Sequence, residues 1–178
     1  GTTDPQPCNG HVELCDRPLD QLTLAGTHNS MSNGDADWVF PNQQHSITRQ
    51  LNDGVRALML DTHDYWGEPM LCHTYCELGS QPLVEGLGEV ATFLAANPRD
   101  IVVIIFQDAL SVDATVAVMD EVGLSRQVWT WDPDAAMPTL GEIIAADTRL
   151  IVSAEFSGPP PAWYHHAWDL VADTPYDF

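Results

Sequence analysis

The chain has 178 residues, 44% of them apolar, which suits a single domain with a real core. Its charge is extreme, because six Arg, no Lys and 26 acidic residues give a formal net charge of −20. A field of that sign repels phosphate backbones, and it offers no basic cluster for docking on anionic membranes. The longest apolar run, Ile101–Phe106, is far shorter than the roughly 20 residues that span a bilayer. These properties exclude general nucleic-acid binding and a transmembrane helix, and they favour a soluble domain.

The four cysteines fall into two pairs that are close in sequence, Cys8 with Cys15 and Cys72 with Cys76. Neither pair has the Cys-x-x-Cys spacing that is typical of metal ligands. Two local disulfides in an exported protein are the favoured interpretation, although four cysteines allow three connectivities and free thiols in a cytosolic protein are the alternative. The start of the chain, Gly1–Pro7, is too short and polar for a signal peptide, so an exported protein would already have lost its leader. The expected location is secreted or periplasmic.

Strands and helices are predicted to alternate along the chain, each from its own hydrophobic period and its flanking Gly and Pro residues. The predicted strands are Gln21–Ala25, Val55–Thr62, Met70–Tyr75, Ile101–Phe106 and Leu150–Phe156. The predicted helices are Gln43–Asn52, Leu83–Ala96, Val112–Val122, Thr139–Ala146 and Trp163–Ala172. Strands that are apolar on both faces and alternate with helices indicate a parallel sheet covered by helices.

Two architectures fit this alternation, an open doubly wound sheet and a (β/α)8 TIM-type barrel. The G-x-G-x-x-G fingerprint of dinucleotide-binding sheets is missing. Polar residues follow all five predicted strands, and in a barrel the carboxyl ends of the strands converge on one face. These residues are His28-Asn29, Asp61-Thr62-His63, His73, Gln107-Asp108 and Glu155. We therefore predict a barrel, although loops are polar in any case and the pattern alone permits that simpler explanation.

A complete barrel takes about 250 residues and eight strands. Five predicted strands in residues 1–178 make this a single barrel domain that is incomplete, and we expect it to be truncated at its carboxyl end.

Three motifs resemble the X region of phosphatidylinositol-specific phospholipases C, most closely the exported bacterial members. They are Leu24-Ala25-Gly26-Thr27-His28-Asn29-Ser30-Met31-Ser32, then Gly54-Val55-Arg56-Ala57-Leu58-Met59-Leu60-Asp61, then Leu71-Cys72-His73. Their order, spacing and placement at strand ends agree with one another, and the resemblance extends from about Cys8 to the carboxyl end.

The resemblance implies a phosphodiesterase that cleaves phosphatidylinositol, or a related phosphodiester, through a cyclic inositol phosphate. It assigns His28 as the general base that takes the proton of the inositol hydroxyl, and His73 as the general acid that protonates the leaving oxygen. Two imidazoles suit these roles because their pKa lies near neutrality. The expected partner is a phospholipid at a membrane surface, with no nucleic acid involved.

A cation must meet the charge that develops on the phosphate, and the resemblance leaves Ca²⁺ as an open possibility. The candidate ligands are Asn29, Asp61, Gln107 and Glu155. The pattern departs from that of the metal-using relatives, because Met59 and Gln107 stand where those relatives carry acids. Without a metal, His63 or Arg56 is the candidate phosphate-binding cation. The odd spacing between Arg56 and Asp61 points Arg56 to the other face of the strand, so a structural ion pair is its alternative role.

Two other functions remain open. A glycerophosphodiester phosphodiesterase or phospholipase D-like barrel would share the fold, but the His-Arg-Gly opening of those enzymes is absent. A catalytically inactive barrel that binds a lipid headgroup or a protein partner is the third hypothesis. Near the end of the chain, His165-His166 and the aromatic residues Trp163, Tyr164 and Trp168 could form a lip on the site or a packed helix.

Overall fold

The computed structural model describes residues 6–172. Its strands are Gly26–Thr27 (β1), Ala57–Tyr65 (β2), Glu68–Leu71 (β3), Gln81–Pro82 (β4), Val102–Asp108 (β5), Leu150–Ala154 (β6) and His165–His166 (β7). Its α-helices are Ile47–Asn52 (α1), Leu83–Ala96 (α2), Val112–Glu121 (α3), Leu140–Ala145 (α4) and Ala167–Leu170 (α5).

All these strands belong to one sheet, in the order β4-β3-β2-β5-β6-β7, with β1 also paired to β2. Five of them, β1, β2, β5, β6 and β7, are mutually parallel, while β3 and β4 are added antiparallel. The five parallel strands form an open arc, with α1, α2 and α3 on its outer face, which is part of a (β/α)8 barrel. The predicted fold class is confirmed.

The apolar core lies on both faces of this arc because successive strand residues point to opposite faces. Leu60, Phe106 and Val152 face the helices and belong to the larger core cluster, together with α2 residues. Val103 and Ile151 face the other way and pack with α4 and the amino-terminal segment around Cys8. The second cluster closes the end of the arc where the parallel strands begin, so the opposite end is left for polar side chains.

The predicted strand Met70–Tyr75 is wrong as a barrel strand. Instead, β2 and β3 form a hairpin with a two-residue turn, in which Tyr65 pairs with Glu68. The turn residues Trp66 and Gly67 have φ values of 58° and 86°, as the favoured two-residue hairpin turns require. The fifth parallel strand is β7, which lies in the segment Trp163–Ala172 that the pattern assigned to a helix.

Other boundaries also shift. The predicted strand Gln21–Ala25 contains the end of a helical turn, Leu19–Gln21, and pairing with β2 begins only at Gly26. Helix α1 begins at Ile47 rather than at position 43, because Ser46 is its N-cap and accepts a hydrogen bond from the Arg49 amide. Helix α2 matches its prediction at both ends.

Both predicted disulfides are present. Cys8 bonds to Cys15 with the Cα atoms 5.2 Å apart, and Cys72 bonds to Cys76 with the Cα atoms 5.0 Å apart. Within residues 6–172, none of the helices is long and apolar enough to cross a membrane.

Candidate active site

The first motif forms a tight turn that follows β1. Asn29 has a φ of 50°, a left-handed conformation that Asn tolerates better than most residues. The turn exposes His28 and buries the side chain of Asn29, which is 2% exposed. Ser30 ties the turn to the sheet, because its backbone N–H donates to the carbonyl of Met59 at 2.9 Å. One strand end therefore presents an imidazole and a buried amide together.

Gln50 of α1 holds this turn from behind. Its Oε1 accepts a hydrogen bond from the Thr27 hydroxyl at 2.7 Å, and its Nε2 donates to the carbonyls of Ser30 at 2.8 Å and His45 at 2.6 Å. A second amide, that of Gln43, donates to the carbonyl of His28 at 2.7 Å. Both sides of the turn are thus fixed by glutamines, which the sequence reasoning missed because an isolated Gln in a polar stretch resembles a surface residue.

Asp61 is the buried carboxylate of the site, 3% exposed, in the middle of β2. The amide of Asn29 is oriented by its surroundings, as the amino group donates to both Asp61 oxygens at 3.0 and 3.2 Å. In the same orientation its oxygen accepts from Nε2 of His73 at 3.2 Å. Asn29 therefore bridges the carboxylate and the second histidine, and the bridge assigns a proton to Nε2 of His73.

His73 reaches this bridge because the β2–β3 hairpin folds the chain back on itself. Thr62 pairs with Leu71, and the N–H of Cys72 donates to the carbonyl of Asp61 at 3.3 Å. The prediction that His73 lies at the same strand-end face as His28 is confirmed, although the hairpin and not a barrel strand brings it there.

Three imidazoles lie close enough to Asp61 for their charges to act on its carboxylate. Burial raises the pKa of Asp61 above its usual range, and the charges of His73, His28 and His63 oppose that shift, in decreasing order. Glu155, on the neighbouring side, adds to it. Since each of these groups acts on the same carboxylate, the structure brings together four of the predicted site residues around Asp61.

The candidate calcium ligands are largely occupied by one another. Asn29 bonds to Asp61 and His73, and Gln107 Nε2 donates to a carboxylate oxygen of Glu155 at 3.2 Å. Among the residues that the structure describes, no three His, Cys, Asp or Glu side chains are grouped as metal ligands. Ca²⁺ takes six or more oxygens, so this donor set does not fit a preformed calcium site. Calcium use stays the open possibility that the resemblance implies, and the proposed chemistry uses no metal.

Asp108, next to Gln107, has a structural role. Its carboxylate accepts hydrogen bonds from the backbone N–H groups of Phe156 at 2.9 Å and Ser157 at 3.1 Å. The carboxylate thereby fixes the loop after β6, the loop that begins with Glu155.

Arg56 is not brought to the site. It precedes β2, at the opposite end of the strand from the histidines, and its NH2 group lies 3.1 Å from a carboxylate oxygen of Asp100. Its guanidinium also stacks 4.7 Å over the ring of Phe93 and donates to the carbonyl of Leu51 at 2.6 Å. The phosphate-binding role predicted for Arg56 does not agree with this placement, and the structural ion pair does.

A cleft of about 410 Å³ opens beside His28 on the inner face of the sheet, with Met59, Ile105 and Trp168 in its lining. The indole N–H of Trp168 donates to the carbonyl of Glu155 at 3.1 Å. Of the predicted aromatic lip, Trp168 therefore lies at the site. His165 does not, because its Nε2 accepts from the backbone N–H of Trp131 at 3.2 Å and its side chain is buried.

A second cavity, of about 230 Å³, adjoins His73 and is mainly apolar. Its lining includes the exposed side chains of Val39, Phe40, Tyr75 and Leu78, and Phe40 is 85% exposed. These four residues are called the apolar rim below. Large apolar side chains gathered at the surface usually mark a site of contact with another molecule or with a membrane.

The parallel strands, the helices that cover them and the polar strand-end site define part of a (β/α)8 barrel. Comparison with known proteins agrees, since the family model PI-PLC X 1 matches residues 14–162. The chain belongs to the PI-PLC X family.

An uncharacterized secreted protein of Arthroderma benhamiae is 32% identical over 161 residues, which cover 86% of this chain and 36% of that protein. A PI-PLC X domain-containing protein of Arabidopsis thaliana is 35% identical over 138 residues, covering 70% of this chain and 32% of its own length. The chain thus spans about a third of each of these relatives. The solved phosphatidylinositol-specific phospholipase C of Listeria monocytogenes shares the fold, with a TM-score of 0.57 and 22% identity, over 79% of this chain and 53% of that one.

Proposed function

We propose that this protein is a phosphoric diester hydrolase that cleaves phosphatidylinositol, or a related phosphodiester, by acid–base catalysis with His28 and His73. The observation that carries the proposal is the Asn29 bridge between Asp61 and His73, with His28 within electrostatic reach of the same carboxylate. Two imidazoles held around one buried carboxylate are the groups that a phosphodiester cleavage at neutral pH needs.

The first half of the reaction uses His28. Its exposed imidazole takes the proton of the inositol hydroxyl next to the phosphate, and the freed oxygen forms a new bond to phosphorus. The same exposure leaves room for the inositol ring in the cleft beside His28. Attack by a hydroxyl of the substrate itself needs no bound nucleophile, because the reacting oxygen and the phosphorus belong to one molecule.

The second half uses His73. As the bond between phosphorus and the glycerol oxygen breaks, the cationic imidazole gives a proton to that oxygen, which leaves as a neutral alcohol. The products are diacylglycerol and a cyclic inositol phosphate, and His73 ends neutral while His28 ends cationic. Because Asn29 accepts from Nε2 of His73, the Nδ1–H of the cationic ring is the proton donor.

His63 is the residue that would meet the phosphate charge. It lies two positions after Asp61 on β2, so both side chains point to the inner face of the sheet, and its charge acts on Asp61. Arg56 is paired with Asp100 at the other end of β2. His63 is therefore the side chain that would stabilise the negative charge on the phosphate.

The apolar rim supports a lipid as the substrate. It lies beside His73, the group that protonates the leaving alcohol, so apolar chains attached to that alcohol would meet apolar side chains. The formal charge of −20 disfavours strongly anionic surfaces, so a mostly zwitterionic membrane is the better target. The two disulfides and the secreted Arthroderma benhamiae relative support an extracellular location.

The test is product analysis on phosphatidylcholine vesicles that contain a minor fraction of phosphatidylinositol. Diacylglycerol together with cyclic inositol phosphate supports the proposal. Phosphatidic acid or glycerol phosphate would instead show a phospholipase D-like or glycerophosphodiesterase reaction. Vesicle binding without turnover would indicate an inactive headgroup-binding barrel.

A further inference from the structure

The segment that carries His73 is one tight turn, closed by a hydrogen bond from the N–H of Tyr75 to the carbonyl of His73 at 2.7 Å. His73, Thr74 and Tyr75 are all exposed and lie between the end of β3 and a short helical turn. Thr74 has a φ of 61°, a left-handed conformation that a β-branched residue adopts only when its surroundings impose it. A turn of this kind is strained and has one internal hydrogen bond, so contacts at its two ends help to hold it.

Both ends of the segment are anchored to the body of the protein. Cys72 is fully buried and its N–H is bonded to the carbonyl of Asp61. Cys76 packs against the larger core cluster, and beyond it the carbonyl of Leu78 accepts from the N–H of Val39 at 2.8 Å. Gly79 lies so close to Trp38 that an added Cβ would overlap its ring. The Cys72–Cys76 disulfide joins the two anchored ends directly across the three exposed residues.

We propose that the Cys72–Cys76 disulfide is the positioning element of the general acid, and that its reduction disables the protonation of the leaving alcohol. This inference rests on the proposed function. The bond holds the segment in the conformation that keeps His73 Nε2 within 3.2 Å of the Asn29 oxygen. Without it, Thr74 relaxes to an ordinary backbone conformation and His73 leaves the Asn29 bridge.

A dithiol can reduce the Cys72–Cys76 disulfide by thiol–disulfide exchange. The sulfur–sulfur bond of the protein breaks, Cys72 and Cys76 each gain a proton and become thiols, and the dithiol is oxidised to its own cyclic disulfide. Oxidation reverses the change and restores the segment. The full acid function is therefore expected only where disulfides persist.

The Cys8–Cys15 disulfide provides a matched control. It packs with Ile101 and Leu140 in the smaller core cluster, at the end of the sheet opposite the histidines. Its replacement removes a disulfide of similar kind without touching the segment that carries His73.

The experiment compares wild-type protein, C72A/C76A and C8A/C15A on two soluble substrates that differ only in the leaving group. One is an alkyl ester of inositol phosphate, whose alkoxide must be protonated as it leaves. The other is the 4-nitrophenyl ester, whose phenolate leaves without a proton. General acid catalysis contributes typically about 10²–10⁴-fold. We expect C72A/C76A to lose at least about tenfold in kcat on the alkyl ester and less than about threefold on the nitrophenyl ester.

C8A/C15A is expected to lose equally little on both esters. Equal rates for C72A/C76A and wild-type protein on the alkyl ester would overturn the positioning role, and so would an equal loss on both esters. If C72A/C76A does not fold, wild-type protein and C8A/C15A are each assayed before and after reduction by the dithiol, with the state of their cysteines checked by peptide mass, and the same ratio of losses decides. Failure of the oxidised wild-type protein on both esters would overturn the proposed function itself.

Discussion

The backbone N–H of Cys72 donates to the carbonyl of Asp61, at 3.3 Å, on a strand pair that runs antiparallel. This hydrogen bond returns the chain to the level of the buried carboxylate after the hairpin turn at Trp66-Gly67. It is the reason that His73, which follows Cys72, lies at the same end of the sheet as His28, although no barrel strand carries it there.

His28 and His73, the proposed base and acid, are expected to differ in their dependence on the leaving group. His28→Ala should lower turnover of both alkyl and nitrophenyl inositol phosphates by about 10²–10⁴-fold, because both reactions need the base. His73→Ala should lower only the alkyl reaction to that extent. Steady-state rates on the two esters check this. His11→Ala, at an exposed histidine paired with Glu13, is the control and should match wild-type protein. A His28→Ala variant with normal rates would remove His28 from the mechanism.

Asp61→Asn is expected to make the protein more stable at neutral pH and less active. Burial raises the folded-state pKa of Asp61 above its ordinary value of 3.8, so the folded state binds the proton more tightly than the unfolded state. The contribution of Asp61 to stability is therefore greatest at low pH, and it is lost as pH rises through the raised pKa. Each kcal/mol regained corresponds to about 2–4 °C in Tm for a chain of this size.

The stability difference between the Asp61→Asn variant and wild-type protein should grow as pH rises from 4 to 7, as followed by thermal melts. Turnover should fall about tenfold, a loss of about 1.4 kcal/mol, since the cationic imidazoles lose a facing negative charge. A variant that is less stable than wild-type protein at pH 7 would contradict this account.

Arg56→Ala is expected to destabilise the protein without changing the chemistry. The Arg56–Asp100 pair is mostly buried, with both side chains 13% exposed. Removal of one partner leaves the carboxylate of Asp100 unpaired, at a cost of about 3 kcal/mol in the free energy of unfolding. Urea denaturation measures the loss. Arg49→Ala breaks the exposed pair with Asp53 and serves as control, with a loss of no more than about 0.5 kcal/mol. Folded Arg56→Ala protein with turnover as low as that of His73→Ala would show that Arg56 acts on the phosphate.

Turnover is expected to survive chelation of calcium by EGTA, because Asn29 and Asp61 are bonded to each other and no metal ligand set is grouped among residues 6–172. His63→Arg is the companion variant. Arginine keeps its charge at every relevant pH, whereas a histidine carries charge only when protonated. The variant should therefore keep most of the turnover, and His63→Gln should lose about tenfold or more. Loss of turnover in EGTA, with recovery on added Ca²⁺, would restore Asn29 and Asp61 as metal ligands.

His165 is expected to make the fold sensitive to mild acid. Burial lowers its folded-state pKa below the ordinary value of 6.5, and a hydrogen bond to the carbonyl of Trp129 partly opposes this shift. The neutral ring accepts the N–H of Trp131 at Nε2, and protonation turns the same nitrogen into a donor, which exchanges that bond for the longer contact with the carbonyl of Trp129 at 3.4 Å. The unfolded state binds the proton more tightly, so the stability that His165 contributes is present above pH 6.5 and is lost as pH falls below it.

The Tm of wild-type protein should therefore fall more steeply between pH 7 and pH 5.5 than that of His165→Gln, whose amide oxygen accepts without titrating. His166→Gln, at the half-exposed neighbour, should follow wild-type protein. Parallel curves for wild-type protein and His165→Gln would contradict the assignment.

The parts of the fold that local pattern determines could be predicted from the sequence. Helix α2 has both predicted ends because Leu83, Leu87, Val90 and Leu94, at helical spacing, are all fully buried. The hairpin could not be predicted in this way, because the hydrophobic pattern shows only two short apolar runs. What makes the two strands antiparallel is the left-handed backbone of the turn at Trp66-Gly67, which the pattern does not reveal.

The site shows the same division. His28, Asp61 and His73 stand in recognisable motifs, and the structure brings them together. The role of Asn29 as a bridge, and the burial of Gln50, depend on contacts between distant segments that leave no mark on the sequence.

Most of the candidate site is built from a short stretch of chain, and Glu155 and Trp168 are added from its later part. His28, Asn29, Gln50, Asp61, His63 and His73 all lie between positions 28 and 73, and the hydrogen bonds among them close loops of modest length. Contacts that are local in sequence form early in folding, since little loop-closure entropy opposes them. The pairing of β2 with β5 and of β5 with β6 spans longer separations and follows more slowly. The end of the barrel that carries these histidines can therefore begin to assemble while the ribosome is still delivering the strands that complete the sheet.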